Sequence, residues 1–481
     1  MNQTQQSMLA DGTSIADLVN PATREVQVRT LGDPEIYQLE LQRIFGKTWL
    51  LLGHDSEIPK PGDFVTRDMG EDSVIVARTR EGEVRVSLNV CPHRGMKVCM
   101  TDSGNAHVHK CTYHGWAFKP DGEFIGAPIA QERMHGEIIP KEKLGLKQAR
   151  VHLYGGLIFA TWNVDGPSFE EFLGDVKWYY DLLFDRTDLG LEVLGPPQRF
   201  IIHANWKAAS EQSACDGYHT LTLHSWLGEI GGFGNGDLTT SMYGVDVGSP
   251  HGHALRCMPV VNKFEKARSF EARGLTVEQR LAELPPPGVT PDMLPQLKRK
   301  LTPDQLRILV DSPPQVAGMF PNILIAFVYI PQKGGDPLGM CSLHTYIPRG
   351  PDKLEFVNWV LADKTASAEH KIIMRDVSTR MFGTSGMVEQ DDSDTWPHMT
   401  KSARGAMGRK MTMKYQAICS KARPANWPGP GLLYDGFTKD DTQWNWWMYW
   451  RELMTAPQEA SVSADPGERA ERRFKVASNV R

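Results

Sequence analysis

Cysteine is scarce, with seven in 481 residues, and the number is odd. That excludes a disulfide scaffold and leaves free thiols or metal ligands as the expected states. An excess of either charge is missing too, because 53 basic against 58 acidic residues leave a net −5. Nothing in that balance suits a nucleic-acid or membrane-surface binder. Long apolar runs are absent. A stretch such as NILIAFVYI (322–330) has strand length, far short of the ~20 residues a membrane span needs. The start, MNQTQQSMLADG, has no basic stretch leading into an apolar one, so no secretory signal is expected. The chain shows no internal repeat. These absences predict a cytoplasmic protein without nucleic-acid or membrane partners.

What remains is ordinary globular composition, 41% hydrophobic and 23% charged, in a chain long enough for more than one domain. Residues 1–46 begin as a tail and turn helical, with Ile36, Leu39, Leu41 and Ile44 at roughly helical spacing. From 47 to 165 the texture is β, in alternating or apolar runs separated by EGE, PDGE and YGG. Residues 167–186 read as a helix after a proline, and a larger portion mixing strands and helices fills 166–456. Within it, the prolines of 285–295 and the LKRK of 297–300 predict an exposed excursion. Helices are expected over 365–382 and 386–403, broken by GTSG, and 457–481 reads as a charged tail.

Residues 91–116 concentrate three cysteines and four histidines. Cys91 and His93 form one pair, Cys111 and His114 another, 17 residues on. Gly95 and Gly115 follow closely and let the backbone bend around an inorganic centre. Zinc also accepts two cysteines and two histidines, but its sites more often pair like with like. Here each loop offers one thiolate and one imidazole, which suits a two-iron, two-sulfide cluster with cysteines on one iron and histidines on the other. The pattern resembles the Rieske motif. His107 and His109 read as solvated, and Cys99 as a small buried hydrophobe. Rieske proteins of respiratory complexes carry a cysteine pair and a serine where this chain has Met96, Tyr113 and Trp116. Fewer hydrogen bonds to the cluster sulfurs imply a low potential.

A second constellation lies at 205–224, where Asp216, His219 and His224 are spaced D-x2-H-x4-H. Two histidines and one carboxylate suit mononuclear iron(II) with positions left open for oxygen. Asp216 and His219 would share a helix face, whereas on one helix His219 and His224 would point about 140° apart. A broken helix end near Thr220 and Thr222 is therefore expected. The carboxylate could be Asp216 or one from the acidic run at 387–396, which alone reads as a solvated helical face.

Five separated stretches fall in order: CPHRG to CTYHGW, NWKAASEQSACDGYH with His224, IPRGPDKLEF, FGTSGMVEQDD and QWNWWMYWRELM. Together they resemble the large (α) subunit of Rieske non-haem iron aromatic-ring-hydroxylating dioxygenases, over roughly 35–455. The resemblance implies an α+β fold, with an all-β Rieske domain inserted in a helix-grip catalytic domain of antiparallel sheet plus helices. It implies a [2Fe-2S] cluster on Cys91, His93, Cys111 and His114, and iron(II) on His219, His224 and Asp392. Asp216 becomes a bridge between His219 and His114 of a neighbouring subunit. Gln212, Ser213, Thr220, Phe382 and Val388 become pocket positions. None is charged, and the nearby Arg380 reads as an exposed helix residue, so a neutral aromatic hydrocarbon is favoured over an aromatic carboxylate.

The implied partners are a small β subunit in an α3β3 hexamer, or none in an α3 trimer, and a ferredoxin or reductase carrying electrons from NAD(P)H. Lys97, Lys110 and Lys119 are candidates to meet an acidic ferredoxin. The implied reaction delivers both atoms of O2 to one ring face as a cis-dihydrodiol. Monohydroxylation, demethylation or a phthalate-, benzoate- or salicylate-type substrate would leave the same motifs. An electron carrier without oxygenase chemistry is the reading from another class, and the second metal set argues against it.

Overall fold

The computed structural model describes residues 8–128, 139–229, 243–332, 335–383, 385–417, 424–436 and 439–457. Near its start, Asp33 caps helix α1 (Pro34–Glu40) by accepting from the Glu35 and Ile36 amides, with proline at the first helical position. Ile36, Tyr37, Ile44 and Phe45 of this segment are buried, in one core with strands and helices from across the chain.

The following β-rich portion contains a four-stranded antiparallel sheet, Val84–Leu88, Asp72–Arg78, Asp63–Met69 and Ser103–Asn105, in that order. A three-stranded sheet of His109–Lys110, Ala117–Phe118 and Phe124–Gly126 lies with it. These elements share a small core of their own, in which Cys91 and Cys111 pack with Phe64, Ile75, Trp116 and Phe118. Leu50–His54 and Leu157–Thr161, paired antiparallel, contribute to the main core instead.

The expected helix over 167–186 is two helices. Phe169–Leu173 and Lys177–Phe184 are separated at Gly174, whose φ of 57° is left-handed. Glycine takes this conformation without a Cβ penalty and ends the first helix early.

A nine-stranded antiparallel sheet organises the rest. In chain order its strands are β1 (Leu191–Val193), β2 (Gln198–Ile202), β3 (Val245–Gly248), β4 (Ala254–Cys257), β5 (Pro314–Met319), β6 (Ile323–Gln332), β7 (Gly335–Pro348), β8 (Leu354–Asp363) and β9 (Leu432–Asp435). The spatial order is β1-β8-β7-β6-β5-β4-β3-β9, with β2 also on β8. Helices α2 (Trp206–Gln212), α3 (Ala368–Phe382), α4 (Glu389–Arg404) and α5 (Asp441–Thr455) accompany it. Alternate residues of β7 face them: Ser342 hydrogen-bonds Ser378 of α3, His344 meets the ring of Phe382, and Tyr346 that of Trp396 in α4. On α5, Trp446, Trp447 and Trp450 are wholly buried, so the tryptophan-rich motif is a packing face.

The proline-rich stretch is an exposed excursion only in its second half, where Pro291, Asp292 and Pro295 are exposed. Pro286, Pro287, Gly288 and Val289 are buried, and a Cβ on Gly339 of β7 would lie 2.6 Å from Pro287 Cα. Pro287 is packed onto the sheet, whereas the basic stretch that follows lies on helix Leu294–Lys300 with Lys298, Arg299 and Lys300 exposed. Of the 457–481 tail, residues 458–481 lie outside the described residues.

Candidate metal centres

The two cysteine–histidine loops are built alike. In one, Cys91 N–H donates to Met96 O and Gly95 N–H to Cys91 O; in the other, Cys111 N–H donates to Trp116 O and Gly115 N–H to Cys111 O. The glycines have φ of 74° and 73°. The turns bring the His93 and His114 rings to 4.5 Å between centroids. Trp116 stacks parallel to His93 at 4.9 Å, while Tyr113 lies over His114 at 3.8 Å. Cys91 and Cys111 are 2% and 1% exposed. Burial pushes the Cys91 thiol up, and the adjacent Cys111 pushes it further. Two buried thiols this close become thiolates only with positive charge between them, which an iron–sulfur cluster provides.

Around this motif one histidine differs from expectation. His107 is exposed, but His109 is 5% exposed, its ring edge-on to Phe64 at 5.0 Å. Burial lowers its pKa. It belongs to strand His109–Lys110, and the alternation of that strand points it inward. Cys99 is buried as expected. Lys97 and Lys110 are exposed, whereas Lys119 is ion-paired with Glu123 at 2.5 Å.

The second centre forms where α2 ends. His219–Leu221 is a single 3-10 turn, followed by helix Ser225–Glu229, so the two histidines do not share a helix. Their rings lie 5.1 Å apart at 76°. His219, His224 and Asp392 each offer a ligand atom, all within 4.8 Å of one another, and could hold a metal ion. Each histidine presents Nε2 to Asp392, at 3.9 Å for His219 and 3.5 Å for His224. Each Nδ1 faces a different carboxylate: Asp216 lies 3.4 Å from His219, and Asp391 3.1 Å from His224. Metal-binding imidazoles are aimed in this way, one nitrogen inward and the other held by an acceptor.

Asp216 does not share a helix face with His219. It follows the turn of residues 213–215 and accepts from the backbone N–H groups of Tyr218 and His219. Burial opposes its ionisation, but the His219 side chain and those amides outweigh it and lower its pKa. For His219 burial opposes charge, and Asp216, then Asp392, prevail and raise its pKa.

The pocket positions divide. The Gln212 amide nitrogen donates to Asp392 Oδ1 at 2.9 Å and lies 3.3 Å from His219 Nε2; its oxygen accepts from Trp396 at 2.8 Å. Gln212 is therefore part of the triad's support. Ser213 is 3% exposed and donates to Ala209 O, while Thr220 donates to Gly217 O. Phe382 and Val388 join Ala326, Val328, Met340 and Met381 in an apolar cluster. Arg380 is exposed.

Two residues escaped the sequence reading. Asp391 sits in a run of acids that spacing cannot rank, and it also accepts from Trp226 Nε1 at 2.8 Å. His344, on β7, is fully buried with neither ring nitrogen hydrogen-bonded among the described residues. Burial drives its pKa down to about 3, against the pull of Asp392. No motif marks a histidine on a strand.

The two residue sets define an iron protein with a Rieske cluster and a mononuclear site. Residues 48–144 match the Rieske [2Fe-2S] domain, and 169–416 match the ring-hydroxylating α-subunit catalytic domain. The chain belongs to the family of Rieske ring-hydroxylating dioxygenase α subunits. It is 31% identical over 455 residues to biphenyl 2,3-dioxygenase subunit alpha of Rhodococcus jostii strain RHA1, covering 94% of this chain and 93% of that one. It is 32% identical over 435 residues to N,N-dimethyl phenylurea N-demethylase subunit alpha of Sphingobium sp. strain YBL2, covering 90% and 92%. Naphthalene 1,2-dioxygenase from Rhodococcus sp., solved with indole bound, superposes with a TM-score of 0.80 at 33% identity, covering 90% and 95%. Among the described residues no helix is long and apolar enough to cross a membrane.

Proposed function

We propose that this chain is the α subunit of a terminal oxygenase that converts a neutral mono- or polycyclic aromatic hydrocarbon into a cis-dihydrodiol. The observation that carries the reading is the triad. Two imidazole Nε2 atoms and one carboxylate face a common point, with a separate cysteine–histidine cradle in the same chain. Iron at His219, His224 and Asp392 would supply oxygen activation, and the [2Fe-2S] cluster at Cys91, His93, Cys111 and His114 would supply electrons. The chain's own residues aim the imidazoles through Asp216, Asp391 and Gln212. Apolar Phe382 and Val388, with Thr220, Ser213 and His344, bound the substrate space and exclude water.

Asp216 acts as the bridge to His114 of a neighbouring subunit. Among the described residues its side chain bonds only Tyr218 and His219, and it is 30% exposed. Tyr218 beside it and Tyr113 beside His114 are 55% and 59% exposed, apolar surface that a subunit contact would cover. We read the cluster domain as 47–165 within a catalytic unit formed by 1–46 and 166–456. We place the chain in a cytoplasmic α3β3 assembly served by a ferredoxin or reductase drawing on NAD(P)H, with Lys97 and Lys110 at the docking face.

The experiment supplies the assembly with its reductase, ferredoxin, NADH and 18O2, and offers biphenyl, naphthalene, benzoate and an N-methylated phenylurea. A cis-diol carrying two labels, with biphenyl or naphthalene consumed and benzoate ignored, is expected. A singly labelled phenol as the main product replaces dioxygenation by monooxygenation. Formaldehyde release as the main reaction replaces it by demethylation, the activity named for one relative.

A further inference from the structure

The route from α2 to Asp216 passes through an unusual residue. Cys215 has φ of 68°, the left-handed region that non-glycine residues seldom occupy and that costs roughly 1–2 kcal/mol. Such a residue after a helix reverses the chain, and here the next side chain is the carboxylate facing His219 Nδ1. Something must hold the turn against its strain.

Three consecutive carbonyls at this turn are met by groups from the sheet and α5. Ser213 O abuts Gly318 of β5 so closely that a Cβ there would lie 2.3 Å from it. Ala214 O accepts from Gln443 Nε2 of α5 at 2.9 Å. Cys215 O accepts from Arg256 Nη2 at 2.9 Å. The same guanidinium forks onto Asp246, with Nε to Oδ1 at 2.5 Å and Nη2 to Oδ2 at 2.7 Å. Asp246 and Arg256 are direct cross-strand partners on β3 and β4, 1% and 2% exposed. A buried cross-strand pair is ordinarily a structural feature of weak net worth. The third bond, to the carbonyl immediately before Asp216, gives this one a directed consequence.

We propose that Arg256, with Gln443 beside it, is a positioning residue for Asp216: it locks the left-handed turn at Cys215 and thereby sets the aim of the bridging carboxylate. The inference rests on Asp216 carrying electrons from the cluster. Planar geometry is essential, since a guanidinium can serve two carboxylate oxygens and a carbonyl from one rigid plane, whereas an ammonium is a point donor.

Arg256→Lys keeps the charge beside Asp246 and loses the fork. Gln443→Leu is shorter by one heavy atom, adds no charge and removes the donor to Ala214 O. In the purified oligomer both variants are expected to keep full iron and the cluster's visible spectrum. Oxidation of the pre-reduced cluster in a single turnover with substrate and O2 slows tenfold or more in Arg256→Lys and severalfold in Gln443→Leu. Turnover driven by hydrogen peroxide, which brings oxygen and both electrons to the mononuclear iron and needs no cluster, stays within twofold of wild type. Amide exchange at Tyr218 and His219, whose N–H groups donate to Asp216, quickens. Asp216→Asn, run alongside, is expected to block cluster oxidation. Wild-type cluster oxidation in the two variants, with Asp216→Asn blocked, overturns the positioning role while leaving the bridge intact. Equal loss of peroxide-driven turnover overturns it too, by showing general damage. Rapid oxidation in Asp216→Asn removes the bridge and this inference with it. If Arg256→Lys does not fold, Gln443→Leu decides on the same readouts.

Discussion

His219 and His224 are each held between two carboxylates, Asp392 at Nε2 and a second acid, Asp216 or Asp391, behind the ring at Nδ1. Removing the rear carboxylate frees a ring without deleting a ligand. Asp391→Ala is expected to weaken iron retention at the second centre about 10–100-fold, leaving the cluster spectrum unchanged; chelator competition followed by iron analysis measures it. Asp392→Ala removes a ligand outright, so the mononuclear iron should be lost entirely and iron content fall from about three per chain to about two. Full retention would show the third ligand misassigned.

Also at the residue scale, His253 is buried between Phe172 and Phe320. Its Nε2 faces Phe172 O at 2.7 Å and its Nδ1 accepts from Phe320 N–H at 3.1 Å. Burial lowers its pKa to about 3 from 6.5. The unfolded chain therefore binds the extra proton through a range where the folded chain does not, and stability falls as pH drops from about 6.5 towards 3. Thermal unfolding scans across that window should show a shallower acid slope in His253→Asn, wherever its melting temperature lies at neutral pH.

At the scale of elements, the two cluster loops have the same hydrogen bonds and nearly the same glycine φ, yet differ in surroundings. A Cβ on Gly95 would meet nothing within 4 Å, whereas one on Gly115 would lie 2.6 Å from Pro128 Cγ. Gly95→Ala should cost only the left-handed strain, roughly 1–2 kcal/mol, and keep its cluster. Gly115→Ala must shift the loop that carries Cys111 and His114, and should lose cluster absorbance. The break at Gly174 shows the same limit from the other side. The apolar periodicity of 167–186 runs through it, and a glycine within such a pattern is readable as a stop only once its backbone is seen.

Across the whole molecule, Glu40 ties distant segments together. Its carboxylate accepts from Trp206 Nε1 and Lys207 Nζ of α2 and Trp450 Nε1 of α5, at 2.8 to 2.9 Å. Glu40 and Lys207 are wholly buried. Glu40→Ala strands a buried ammonium and should destabilise the protein by about 3–5 kcal/mol. Glu40→Gln with Lys207→Met removes both charges while leaving an oxygen for an indole N–H, and should lose markedly less. Denaturant midpoints for the pair decide it.

The sequence by itself determined what short range can carry. Cys91, His93, Cys111 and His114 are set by local turns, and His219 and His224 by a 3-10 turn and the approach to the next helix, so spacing exposed both cysteine–histidine pairs, both later histidines and the β texture around the first centre. Tertiary structure decided the rest. It chose between neighbouring acids, turning Asp392 to both Nε2 atoms and Asp391 to an Nδ1, a distinction made by how α4 lies against α2. It buried Pro286, Pro287 and His109, which composition had placed in solvent. It also brought His344, Arg256 and Gln443 to the site from strands and a helix far along the chain. Such contacts are fixed by sheet register and helix packing, and no local pattern records them.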